Sequence, residues 1–325
     1  MLKYDNLNIP DYNKRELRTN GKVLNVLMDN YTVDQRLDKF MEFLNIFDLR
    51  DDPILENNFQ QFSHRLHWHE HPFCEIIQNC RNDQERIWFT LLFSFSNEYW
   101  TIFDILVNNG EQALKEHLKS PKNRVMRTDL FNIYFPKGTK VRNWIVDNTK
   151  LASQDLAKVF KDRKRPYNMM EFAYLLRNYF KNMQGFKNCL YPCKNASRYM
   201  AMAMPEYVNP NSWIHPGTGS FRGLHQIFGG DYLMTKAQFN LDYDLGEYIP
   251  QNIAAHQLKE QFEVIKNHQN SPIKKQYNIN IEDKACFFFK HITMYVGIQK
   301  ATKQIPYNYV FPESFSLKKV TDHGS

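Results

Sequence analysis

The chain has 325 residues, 42% hydrophobic and 15% aromatic, enough for a real core in one large domain or two ordinary ones. A mean hydropathy of −0.60 and the lack of a long apolar run exclude a membrane-spanning helix. The N-terminus lacks a signal-peptide pattern, and five cysteines without zinc-ribbon spacing fit a reduced, cytoplasmic protein.

Apolar periodicity predicts helices along most of the chain. Residues 1–60 read as an N-terminal helical arm, with Val23, Leu24, Val26, Leu27, Leu37, Phe40 and Leu44 marking a helical pattern over 22–44. Asp51-Asp52-Pro53 breaks it. A helical catalytic domain is expected over 61–310, and a poorly ordered tail over 311–325. Within the domain, 85–107 reads as a mostly buried helical region closed by Asn108-Asn109-Gly110. A short helix follows over 112–118. Residues 129–144 read equally as a short strand pair or an irregular loop. Helices are predicted over 149–160, with Thr149 or Ser153 near its start, and over 168–184 and 194–204, the last ended by Pro205. Further helices are expected over 235–241, 253–268 and 281–301. The expected fold class is mainly α.

Charge is unevenly distributed. Residues 115–165 hold 14 Lys/Arg and 5 Asp/Glu, a net +9, so the remainder carries −2. A localised basic surface is the electrostatic footprint of a nucleic-acid partner. A solvated basic face without a partner is the plainer reading.

Glycine is also concentrated. Of 12 glycines, Gly217, Gly219 and Gly223 fall within His215–Leu224, and Gly229-Gly230 follow. Bare backbone there suits a tight turn or close approach of a ligand. With Arg222 among them, exposed N–H groups and a guanidinium would suit an anion such as phosphate. A helix–turn–helix corner is the alternative.

Four histidines, His64, His67, His69 and His71, with Glu70 and Cys74 nearby, contain the elements of a metal site. Their spacing matches no helix-face pair and no familiar zinc pattern, so no metal is assigned. Asp242, Asp244 and Glu247 are the carboxylates nearest the glycine segment, as general bases or partners of an amine; capping and ion pairing are the alternative. Gln238 lies one helical turn before Asp242 if the segment is helical. Among loop aromatics, Tyr207 and Trp213 are candidates for stacking on a nucleotide, whereas Trp88 belongs to a core. P-loop, Rossmann, GxSxG and HExxH signatures are absent.

An ordered set of residues now matters: Arg86-Ile-Trp-Phe with Phe93-Ser-Phe-Ser-Asn97, Gly185-Phe186, Tyr191-Pro192 with Arg198, Pro216-Gly-Thr-Gly-Ser-Phe-Arg-Gly-Leu224 with Phe228-Gly229, and Ala237-Gln238-Phe-Asn-Leu-Asp242. It resembles the bacteriophage α-glutamyl/putrescinyl thymine pyrophosphorylases, or amino acid:DNA transferases. It is similar also to the helical domain of phage 5-hydroxymethyluracil DNA kinases. The likeness covers about residues 80–250. It implies a helix–hairpin–helix DNA-glycosylase-like fold and a DNA substrate bearing 5-pyrophosphoryloxymethyluracil. An amino acid or polyamine would displace pyrophosphate, with no cofactor. The family pattern points to Asp242, Gln238 and Arg222 as catalytic, and to Asn97, Gly217, Thr218, Gly219 and Gly223 as the substrate and pyrophosphate site. Lys119, Lys122, Arg124 and Arg127 would hold the DNA backbone. A glycosylase on the same fold and a noncatalytic DNA-binding module remain open alternatives.

Overall fold

The computed structural model describes residues 2–5, 7, 27–49, 74, 77–78, 80–95, 105, 109–117, 141–186, 190–214, 216–229, 234–236, 248–250, 255–273 and 278–297. The protein is mainly helical. No described helix is long and apolar enough to cross a membrane. The chain divides into two compact units, one drawn from Met1–Trp68 and Trp213–Tyr307, the other from His69–Ser212 and Asn308–Ser325.

In the first unit, α1 spans Val33–Leu49. It begins where Thr32 and Gln35 exchange hydrogen bonds: the Thr32 N–H donates to Gln35 Oε1 (2.9 Å) and the Gln35 N–H to Thr32 Oγ1 (3.3 Å). This reciprocal cap satisfies two donors that a helix start leaves open. It fixes the start of the helix at Val33, after a turn over residues 27–30, so the helical pattern expected over 22–44 is interrupted there; residues 22–26 lie outside the described residues. The chain returns in α6 (Thr218–Phe228), α7 (Ala255–Asn267) and α8 (Asn278–Tyr295), with two short strands, β3 (Met234–Lys236) and β4 (Tyr248–Pro250), between α6 and α7. The strands pair antiparallel, Met234 opposite Pro250 and Lys236 opposite Tyr248. The helix expected over 235–241 is therefore not formed at its start, where cross-strand pairing takes the backbone of Thr235 and Lys236.

The core of this unit is aromatic. Phe40 and Phe43 from α1 meet Phe288 of α8 at centroid distances of 5.0 and 5.3 Å. The N-terminal segment closes over the same place: Tyr4 is 4% exposed, and its hydroxyl is 2.9 Å from the buried His291 Nδ1. Burial of such rings is the main driving force here, about 1.5–3 kcal/mol per large apolar side chain.

The second unit contains α2 (Asp83–Phe95), α3 (Val141–Lys161), α4 (Met169–Phe180) and α5 (Leu190–Ala203), with residues 109–117 also helical. Asn82 caps α2, accepting the Glu85 N–H at 2.9 Å, while Glu85 accepts the Arg81 N–H at 2.8 Å. Strands β1 (Tyr167–Asn168) and β2 (Val208–Asn209) form a two-residue parallel pair. Trp144 stacks on Phe186 (5.5 Å, 11°) and donates its indole N–H to the Gln184 carbonyl at 2.9 Å. Trp88 is 8% exposed and belongs to the core.

Helix α3 begins eight residues before the predicted start. Thr149 and Ser153 are interior rather than terminal: their hydroxyls bond back to the carbonyls of Ile145 (2.5 Å) and Lys150 (2.6 Å). A hydroxyl that finds an acceptor one turn back can be buried inside a helix, so capping residue types misplace the boundary.

Candidate functional site

The glycine segment is not an open turn. Gly217 is extended (φ −77°, ψ 169°) and forms the N-cap of α6, and Thr218 to Phe228 are helical. The first helical bond runs from the Phe221 N–H to the Gly217 carbonyl at 3.0 Å.

Helix α6 crosses α8 at very close range, and the glycines permit it. A Cβ on Gly219 would lie 2.3 Å from Cys286 Sγ. One on Gly223 would lie 1.9 Å from the carbonyl oxygen of Ala285 and 2.4 Å from its carbon. Residues four apart share a helix face, so Gly219 and Gly223 form a flat strip against which the Cys286 side chain and the Ala285 backbone of α8 settle. Their helix-propensity cost, about 1 kcal/mol each relative to Ala, is offset by the contact that the missing methyl groups allow.

Both ends of α6 meet opposite charge. At the start, Glu282 from α8 (6% exposed) accepts the Gly217 N–H at 2.8 Å and the Ser220 hydroxyl at 2.9 Å, both at Oε1. At the end, Gly229 has φ 72°, a left-handed value that favours glycine, and its N–H donates to the His225 carbonyl at 2.8 Å. The buried Arg36 of α1 approaches there, with Nη1 2.8 Å from where a Gly229 Cβ would stand. Burial lowers the Arg36 pKa, with Asp29 acting in the opposite sense. An anion at the N-terminus and a cation at the C-terminus both complement the helix dipole.

Arg222 is half-buried on α6, its guanidinium carbon 5.7 Å from the centre of the Phe289 ring. Ser220 and Gln226 are buried, and Gln226 Oε1 accepts the Leu27 N–H at 2.7 Å. Of the residues singled out from sequence, Gly217, Thr218, Gly219, Arg222 and Gly223 thus share one helix start. Asn97, Gln238, Asp242, Lys119, Lys122, Arg124 and Arg127 lie outside the described residues, as do His64–His71, Asp244 and Glu247. Cys74 is described: its thiol is buried, which pushes its pKa up to about 12. No group of three or more His, Cys, Asp or Glu gathers at one point among the described residues.

The two loop aromatics are both engaged by the protein. Tyr207 stacks on Phe160 (4.5 Å, 7°), and its hydroxyl bonds to Asp83. Trp213 packs on Phe262 at 5.2 Å, with the Lys259 ammonium 5.6 Å from its ring. Sequence reasoning missed Glu282 and Arg36, the two charges that frame α6. Each acts on a segment far away in the chain, and no local pattern marks it.

No family model matches this chain, and no curated protein or solved structure matches it either.

Proposed function

We propose that this chain is a DNA base-modifying transferase that works in the cytoplasm of a phage-infected host cell. Its substrate is 5-pyrophosphoryloxymethyluracil in DNA, and its co-substrate an amino acid or polyamine. The observation that carries the reading is the run Pro216–Leu224 followed by Ala237-Gln238 and Asp242, in the order of the thymine pyrophosphorylases it resembles. The +9 excess over residues 115–165 supports a polyanionic partner. The reading carries with it a helix–hairpin–helix glycosylase-like arrangement of the helices.

In this reaction the amine nitrogen attacks the C5 methylene carbon. The C–O bond breaks, and pyrophosphate leaves with the electron pair. The target base must first leave the duplex stack. Arg222 would stabilise charge developing on the leaving group. Asp242 would take the proton lost by the amine, and Gln238 would bond to the base edge. Removing one such charge-stabilising donor costs about 10²–10³ in rate.

One observation favours a second reading, a noncatalytic DNA-binding module. Glu282 already accepts the Gly217 N–H and the Ser220 hydroxyl, and a carboxylate there opposes a second anion. The deciding experiment is mass spectrometry of nucleosides from DNA carrying 5-pyrophosphoryloxymethyluracil, after incubation with the protein, amino acids and polyamines. A C5-amine adduct with pyrophosphate release is the expected result. Loss of the base identifies a glycosylase instead, and bound but unchanged DNA a binding module.

A further inference from the structure

The turn joining α3 to α4 concentrates positive charge, and its order comes from within. Arg163 lies over the Tyr167 ring, guanidinium carbon 3.3 Å from the centroid. Its Nε donates to the Arg165 carbonyl at 3.0 Å, and its Nη2 to Glu171. Arg165 donates to the Pro166 carbonyl and to Glu171 Oε2, both at 3.2 Å. The same carboxylate accepts the Asn168 N–H at 3.2 Å and so closes the first turn of α4. One glutamate therefore ties two arginines to a helix start.

The charge left over faces water. Glu171 neutralises one of its two arginines, and Arg165 stays 63% exposed. Lys161 and Lys164 are exposed and form no ion pair among the described residues. Asp162 is the exposed carboxylate between them. Lys158 faces Asp155 at 3.4 Å, and that pair cancels. Four cations against Asp162 and Glu171 leave the turn at +2. Complementing the C-terminal dipole of α3 accounts for a lysine at 161, in the last turn, but not for Lys164 beyond it.

We infer that this turn is a docking surface for the phosphates of duplex DNA, contacted by Lys161, Lys164 and Arg165. The inference rests on the DNA reading above and adds the surface that holds the duplex. The nearby aromatics Phe160 and Tyr167 are buried, at 3% and 6% exposure, so neither offers a ring for base stacking or for lipid insertion. Its contacts are with the backbone and carry no sequence preference. A turn already held in shape loses little entropy on binding.

The test is fluorescence anisotropy of a short labelled duplex of unmodified DNA with the full chain, across a salt series. Wild type is compared with Lys161→Gln/Lys164→Gln, with Lys161→Arg/Lys164→Arg, and with Lys259→Gln, an exposed lysine of the other unit. Two lost phosphate contacts make the log–log salt slope shallower by about 1.8, which is roughly 60-fold weaker binding near 100 mM salt. The arginine pair and Lys259→Gln are expected to bind as wild type does. A glutamine pair that keeps the wild-type slope overturns this surface and leaves the DNA reading standing. So does equal loss of binding in the glutamine and arginine pairs, because charge is then not what matters. Wild-type protein that ignores DNA but binds phosphatidylserine vesicles overturns both.

Discussion

Replacing Gly223 with Ala puts a methyl group 1.9 Å from the Ala285 carbonyl oxygen, where ordinary contact begins at about 3.4 Å. The α6 and α8 backbones would have to separate by about 1.5 Å, or α6 would have to roll, and either loses dispersion along the whole contact. Overpacking of a core costs about 1–3 kcal/mol, and a collision with backbone falls at the upper end because no rotamer relieves it. Ala returns about 1 kcal/mol of helix propensity, so the expected net loss is about 2 kcal/mol. Gly219→Ala meets a side chain instead, Cys286 Sγ at 2.3 Å, and once that sulfur is removed the nearest remaining atom is Cys286 Cβ at 3.4 Å. Cys286→Ala is therefore expected to rescue Gly219→Ala, whereas Ala285→Gly leaves the colliding carbonyl in place and does not rescue Gly223→Ala. Urea unfolding of the singles and doubles measures this; with a slope of about 2 kcal/mol/M, Gly223→Ala lowers the midpoint by about 1 M. A Gly223→Ala protein as stable as wild type, or more so, would refute the close crossing.

Glu282→Ala leaves the Gly217 N–H and the Ser220 hydroxyl without their acceptor and is expected to cost about 3 kcal/mol by urea unfolding; Glu282→Gln keeps an acceptor oxygen and costs clearly less. Burial raises the Glu171 pKa, but hydrogen bonds from Arg163, the Asn168 N–H and Arg165 outweigh it and hold the carboxyl below its ordinary 4.5. A depressed carboxylate stabilises the fold above its unfolded pKa and loses that contribution as pH falls through its folded value. Glu171→Gln should accordingly flatten the fall in urea midpoint below about pH 4.5; an unchanged acid profile would show that the Arg163–Glu171–Arg165 cluster contributes nothing. Cys74, buried and with its thiol pushed up to about 12, should resist maleimide at neutral pH and react on unfolding; rapid labelling of the native protein would contradict its burial. In the pyrophosphate-release assay, Arg222→Ala and Asp242→Asn should each lose most of the activity, and full activity in either would remove that residue from the mechanism.

Helix content was legible because period-3.6 apolar spacing reports which face a segment buries, whatever it packs against. The runs around Phe40, Trp88, Phe172 and Ile281 all fall in helices of the structure. Boundaries were less legible. The signals that place them, such as the Gln35 side chain on the Thr32 N–H or the Thr149 hydroxyl on the Ile145 carbonyl, depend on rotamers and not on residue type alone. The helix expected over 235–241 failed at its start because β3 finds its hydrogen-bond partners in Tyr248–Pro250, a pairing invisible in a local window.

The glycine segment shows the division most clearly. By itself the sequence determined that bare backbone was needed near 217–223, because twelve glycines in 325 residues do not gather by accident of composition. It also determined that positive charge gathers before residue 165. Only the tertiary structure decided what the bare backbone approaches, the carbonyl of Ala285 and the sulfur of Cys286, and which charges frame α6, Glu282 and Arg36. Those partners stand about 60 residues downstream and nearly 200 upstream in the chain. A contact between such distant residues depends on where the whole core places two helices, and local propensity holds no record of it.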